Sequence, residues 1–260
     1  MPSPTFEIRE PPKSARKPGP SEPFLPIASI ITDAATKDRD ERPVASAGAR
    51  TPIVCAVELI FVRHGLPQHI VKDDGSPADP PLSELGHQQA RAAAEFLSGE
   101  HLDAIYVSNM ARARETAAPL ESAFELTAEV RHGIAEFDRN SDSYIPMEEL
   151  KRLDYERWKS FMADGGPQEE DPAEFQDLVK ETVAEIVDNH RGQRVAVVCH
   201  GGVINAYASD VLGHDRGDIF FCNVDYTSIT RVMVASTGQR SILSVNETSH
   251  IRHLPHPRHG

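Results

Sequence analysis

Two short apolar runs in this sequence end in the same way. Leu59-Ile-Phe-Val62 stops at Arg63-His64-Gly65, and Val195-Ala-Val-Val-Cys199 stops at His200-Gly201-Gly202. An uninterrupted run of this length suits a strand buried on both faces of a parallel sheet. Each run therefore predicts a central strand, and each delivers a histidine to that strand's carboxyl end. Ligands of open α/β sheets bind beyond those ends. The glycine after each histidine removes a side chain where a ligand would approach the backbone. Together the runs predict that two imidazoles from distant parts of the chain meet at one sheet edge.

The sequence between and after them alternates strand and helix signals. Ser83 is a helix N-cap, with Leu85, Ala92, Phe96 and Leu97 marking an apolar face to about residue 98. Asp103 to Val107 reads as a second parallel strand, a helix follows from Ala111 to Phe124, and Thr127 to Arg131 reads as a short third strand. From Pro172, the residues Phe175, Leu178, Val179, Thr182, Val183, Ile186 and Val187 recur at helical spacing. Arg194 to Cys199 is a strand, Gly202 to Leu212 a helix, and closing strands are expected at 218–222, 228–235 and 240–245. This order predicts an α/β fold: a three-layer α-β-α sandwich, with a mainly parallel sheet and an antiparallel edge strand.

Three segments stand apart from that alternation. Residues 1–52 form a Pro-rich N-terminal extension, and nine of the chain's 20 prolines lie in the first 50 positions. Such sequence reads as disorder. Residues 132–170 are polar, hold the chain's one tryptophan, Trp158, and carry an amphipathic piece near 147–162. They read as an insert or lid within a domain spanning 53–249. Residues 250–260 form a His-rich tail with His250, His253, His256 and His259 three apart. In polyproline geometry these would share a face.

A net charge of -13 over 260 residues argues against nucleic acid or an anionic membrane as partner. No run of 18 apolar residues predicts a membrane span, and no signal peptide is recognised. Cys55, Cys199 and Cys222 are scattered, without disulfide or zinc spacing. A cytoplasmic location fits. Cys199 reads as a small apolar strand residue despite its neighbour His200.

Further residues complete a constellation. Arg112 lies in Ser108-Asn-Met-Ala-Arg-Ala-Arg-Glu-Thr-Ala117, on the first turn of a helix that follows a strand. Arg114, two positions on, would face elsewhere. Glu136 lies in Gly133-Ile-Ala-Glu-Phe-Asp138, just after the third strand, with Asp138 as its alternative. With the two strand-end His-Gly motifs, these stretches resemble the histidine phosphatase superfamily, also called phosphoglycerate mutase-like, over roughly residues 56–250.

The resemblance implies hydrolysis of a phosphomonoester in two steps through a phosphohistidine at His64. Arg63, Arg112 and His200 would bind the phosphate, His200 in its protonated form, and Glu136 would serve as general acid and base. The sequence shows no P-loop, dinucleotide fingerprint or metal-ligand spacing, so no cofactor and no metal are expected; a small phosphorylated substrate is the expected partner, and a homodimer is left open. The sequence departs from the family just after Gly65. Leu66-Pro67-Gln68-His69-Ile70 lacks the usual donors, unless Gln68 or His69 substitutes. That weakens the alternative of a phosphoglycerate mutase and leaves hydrolysis intact. A phospho-ligand binding module with little turnover is a further alternative. A metal hydrolase using His64, His69 and His200 is the remaining one.

Overall fold

The computed structural model describes residues 56–163, 171–214 and 221–255. The expected disorder of residues 1–52 lies outside them. Strand β1 (Val57–Arg63) occupies the interior of a six-stranded sheet. It pairs in parallel with β6 (Arg194–Cys199), so both apolar runs are neighbours as the sequence predicts. β3 (Ala104–Ser108) and β4 (Glu129–Arg131) extend the parallel part beyond β6. On the other side β7 (Ile229–Val234) runs antiparallel to β1, and β8 (Arg240–Glu247) closes that edge antiparallel to β7. The order is β4-β3-β6-β1-β7-β8. A separate ribbon pairs β2 (Ile70–Val71) with β5 (Ser143–Tyr144).

Strand alternation divides the core in two. Leu59 and Phe61 of β1, with Val195 and Val197 of β6, pack under α5 (Pro172–Asn189) and α6 (Gly201–Leu212). Ile60 and Val62, with Ala196 and Val198, pack under α1 (Glu84–Leu97) and α2 (Ala111–Phe124). Both faces of each strand are covered, which is why the runs contain no polar residue. The three layers follow directly.

Helices α1 and α5 begin at side-chain caps. Ser83 accepts from the Gly86 N–H at the start of α1, and Asp171 accepts from Ala173 ahead of Pro172 in α5. A close approach ties α1 to the exit of β1. A Cβ on Gly65 would stand 2.6 Å from the Gly86 oxygen, and one on Gly86 would stand 2.2 Å from the Leu66 oxygen. Glycine at both positions lets the chain cross itself there.

Three expectations need correction, and one gains detail. The buried stripe of α1 is Ala90, Ala93, Ala94 and Leu97; Phe96 turns outward and stacks on His250. Phe221 and Cys222 form a bend rather than the end of a strand, and 218–220 lie outside the described residues. The amphipathic piece of the 132–170 segment is two helices, α3 (Met147–Leu153) and α4 (Tyr155–Ala163). His250 is not part of a tail: it is buried in a 3-10 turn, Ser249–Ile251, packed near α1. His256 and His259 lie outside the described residues.

Candidate active site

The parallel register sets Arg63 opposite Cys199, so His64 and His200 leave the sheet at the same level. Their ring centroids are 5.1 Å apart. Both rings are buried. His64 Nδ1 lies 2.7 Å from the Gly65 carbonyl oxygen. A carbonyl can only accept, so Nδ1 carries the proton and Nε2 keeps its lone pair. The backbone is fixed as well: the His64 N–H donates to Cys199 O, and its carbonyl accepts from the Thr227 N–H. Burial, reinforced by the guanidinium charges of Arg112 and Arg63, holds the His64 pKa well below the ordinary imidazole value.

His200 caps α6 without a side-chain cap bond. Its Nε2 lies 2.8 Å from Ser108 Oγ. That hydroxyl accepts from the Met110 N–H and keeps a proton and a second lone pair, so it can serve Nε2 as donor or as acceptor. Nδ1 is buried without a partner, and where the hydroxyl donates to Nε2 it is Nδ1 that carries the proton. Burial, then Arg112, His64 and Arg63, push the His200 pKa down in the same direction. A neutral His200 in this tautomer is a donor, so it needs no second proton to meet an anion. The protonated form expected from the sequence would need the charge of a bound phosphate dianion to offset these effects.

Arg112 is the largest fully buried side chain among the described residues. Its Nη2 donates to Asp138 Oδ1 at 2.7 Å, while Nε and Nη1 have no hydrogen-bond partner. Burial opposes its charge; Asp138, Tyr144 and Glu136 outweigh that and keep it cationic. Arg114 is exposed, so the register of α2 selects Arg112. Arg63 donates through Nη1 to the Val224 carbonyl and lies 4.0 Å above the Tyr226 ring centre.

Glu136 reaches the same place from the loop after β4. Oε2 accepts from the Gly202 N–H at 2.9 Å and Oε1 from the Phe137 N–H at 3.2 Å. A Cβ on Gly202 would stand 2.2 Å from Glu136 Oε1. The second glycine after His200 therefore makes room for this carboxyl group. Burial, with the Asp138 charge, pushes its pKa up to about 7, against the pull of the Gly202 N–H and of Arg112. Asp138, the alternative acid, is committed to the Arg112 ion pair. A carboxyl group poised to exchange a proton near neutrality thus stands beside an ionic one.

Other candidates do not join. Gln68 is exposed and donates to Leu82 O, and His69 pairs with Glu149. In this structure both side chains are turned to those partners. Burial pushes the Cys199 thiol up, and the residue packs in the core. Among the described residues, no group of three or more His, Cys, Asp or Glu could hold a metal ion, and no helix is long and apolar enough to cross a membrane.

Two tyrosines of the site carry no sequence signal. Tyr226 covers Arg63, with its ring centroid 5.7 Å from that of His64. Tyr144 lies with its ring centre 4.6 Å from the Arg112 guanidinium carbon, brought there by the β2–β5 ribbon. The 132–170 segment therefore does contribute to the site.

Comparison with known proteins points to one family. The family model of the histidine phosphatase superfamily (branch 1) matches residues 59–248. Phosphoserine phosphatase 1 of Hydrogenobacter thermophilus is 32% identical over 209 residues, covering 75% of this chain and 94% of that protein. A probable phosphoglycerate mutase of Serratia proteamaculans is 27% identical over 170 residues, 60% of this chain and 75% of that protein. Among solved structures, a mycobacterial glucosyl-3-phosphoglycerate phosphatase superposes with a TM-score of 0.60 at 23% identity, over 74% of this chain and 100% of that one. The phosphoserine phosphatase of Entamoeba histolytica in complex with phosphoserine gives 0.59 at 22% identity, over 75% and 99%. These two likenesses show the shared fold. On the match across the two strand-end histidines and everything between them, the chain belongs to the histidine phosphatase superfamily.

Proposed function

We propose that this protein hydrolyses a small phosphomonoester in two steps through a phosphohistidine at His64. One observation carries the reading. A histidine with a fixed lone pair on Nε2 stands beside a second histidine, under two guanidiniums, with a protonatable carboxyl group at the same sheet edge.

In the first step His64 Nε2 attacks phosphorus and the bond to the leaving oxygen breaks. Glu136, protonated at or below pH 7, gives its proton to that oxygen. Arg63, Arg112 through Nε and Nη1, and His200 through Nδ1–H meet the charge on the remaining phosphoryl oxygens. In the second step the Glu136 carboxylate takes a proton from water, which attacks phosphorus; the N–P bond breaks and inorganic phosphate leaves. Charge on the phosphoryl group is met by guanidinium and imidazole donors, so the reading is metal-independent. A cytoplasmic setting suits the scattered cysteines.

The relative named a phosphoserine phosphatase, similar along nearly its whole length, supports hydrolysis of a small phosphorylated metabolite. The mutase alternative needs side chains that hold and turn a phosphorylated acid. Gln68 and His69, the candidates for that task, are engaged elsewhere.

The test is a panel of phosphorylated metabolites and a generic aryl phosphate, with His64→Ala as control and with chelator added. Phosphate release that survives chelator and drops by on the order of 10⁴-fold in the variant is expected. Turnover unchanged in His64→Ala contradicts the assignment.

A further inference from the structure

The segment Val224–Ser228 surrounds the exit of β1. The Val224 carbonyl accepts from Arg63 Nη1. Tyr226 lies against both Arg63 and His64. The Thr227 N–H donates to the His64 carbonyl, and the Ser228 carbonyl accepts from the Arg63 N–H. One short segment thus holds the backbone and side chains of the Arg63-His64 pair.

That grip depends on an unfavourable backbone. Thr227 has φ of 56° and is fully buried. A β-branched residue in the left-handed region is a genuine outlier and needs its surroundings to hold it there. Its own hydroxyl donates to the Tyr226 carbonyl, a local bond that only stiffens the turn. The outside anchor is His250. Its Nε2 lies 3.0 Å from the Thr227 carbonyl oxygen, which can only accept. The His250 ring is kept in place by stacking on Phe96 of α1, at 5.2 Å between centroids. Earlier in the same loop, the Asn246 side chain accepts from the Asp225 N–H and donates to the Asp225 carboxylate. The end of β8 and the turn after it therefore both grip the loop.

We propose that His250, in the turn that follows the last strand, is a positioning residue. By donating to the Thr227 carbonyl it holds the strained turn, and through that turn the Tyr226 ring and the Thr227 N–H keep Arg63 and His64 in register. This rests on the phosphatase reading for its effect on turnover, but not for its effect on the loop.

The test compares wild type with His250→Phe, which keeps the stack on Phe96 and removes the donor, and with His250→Gln, which keeps an N–H donor. Both are repeated in a Thr227→Gly background, where the left-handed turn no longer needs an anchor. With an aryl phosphate as probe, kcat of folded His250→Phe falls about tenfold with KM nearly unchanged, as expected for a misaligned nucleophile. His250→Gln recovers most of that loss. In the Thr227→Gly background the same His250→Phe change costs less than about twofold. A loss that stays undiminished in the Thr227→Gly background overturns the proposal, and so does a folded His250→Phe protein with wild-type kcat. If wild type itself releases no phosphate, the functional reading fails instead. Amide exchange at Thr227 then decides this inference: faster exchange in His250→Phe supports it, and an unchanged rate contradicts it.

Discussion

The molecule carries two concentrations of charge, and they are built in opposite ways. Near the starts of β1 and β6, Arg231 and Arg194 meet Glu58, Glu100 and Glu247. There Arg231 has Nε, Nη1 and Nη2 all paired, and Arg194 pairs with Glu58 and Glu100. Burial opposes the Arg231 charge, and the three carboxylates outweigh it. At the carboxyl ends of the same strands, Arg112 shares one nitrogen with Asp138 and leaves two buried nitrogens without partners. His200 has a buried, unpartnered Nδ1, and the Glu136 carboxyl group sits at a pKa of about 7. Unsatisfied buried donors are costly. The first network is closed and reads as structure; the second is open to an anion and reads as function.

Substitutions sharpen that contrast. At the open end, Glu136→Gln should reduce kcat by roughly 10²- to 10⁴-fold, most for substrates with poor leaving groups. Its pH profile is equally telling. The first step needs Glu136 protonated, so wild-type activity should fall as pH rises through about 7. His64 must be neutral to attack, and its lowered pKa keeps it so well into the acid range. The optimum therefore lies on the acid side of neutrality, and the alkaline limb near 7 should vanish in the Gln variant. A limb that stays in place would assign the acid elsewhere.

Arg112→Lys should cost roughly 10²- to 10³-fold in kcat/KM despite keeping the charge, since an ammonium cannot reproduce a fork shared between Asp138 and a phosphate. Steady-state kinetics on the purified variant checks it. The closed end behaves differently. Arg231→Met takes Glu247's arginine away and leaves Glu58 and Glu100 to Arg194 alone, and should destabilise the fold by about 3 kcal/mol, measured by denaturant unfolding. Its kcat should remain at the wild-type level. A variant that loses activity while keeping its stability would break the division between the two ends.

How much of this was legible in the sequence follows from where each residue gets its position. Arg63, His64 and His200 are placed by a strand ending, and Arg112 by the first turn of a helix after a strand. Local patterns encode those places, so the motifs predicted their convergence. Helical spacing separated Arg112 from Arg114, the resembling motif Ser108–Ala117 singled out Arg112, and in the structure Arg112 is buried and Arg114 exposed. Tyr144 sits on a two-residue strand and Tyr226 in a turn, with no periodicity to announce either. The left-handed turn at Thr227 was hidden because the position is threonine, not glycine. His250 misled for a different reason. A three-residue spacing fits an extended polyproline face, yet His250 sits in a short 3-10 turn, Ser249–Ile251, and is buried against Phe96 by a contact that no local pattern announces.

The most direct measurement is a rapid-quench search for the covalent intermediate during turnover of a labelled phosphomonoester. Acid-labile, base-stable phosphate should appear on His64, map there by peptide mass spectrometry, and decay into inorganic phosphate at a rate no slower than kcat. Sustained turnover with no phosphate on the protein, or with the label on another residue, would contradict the account.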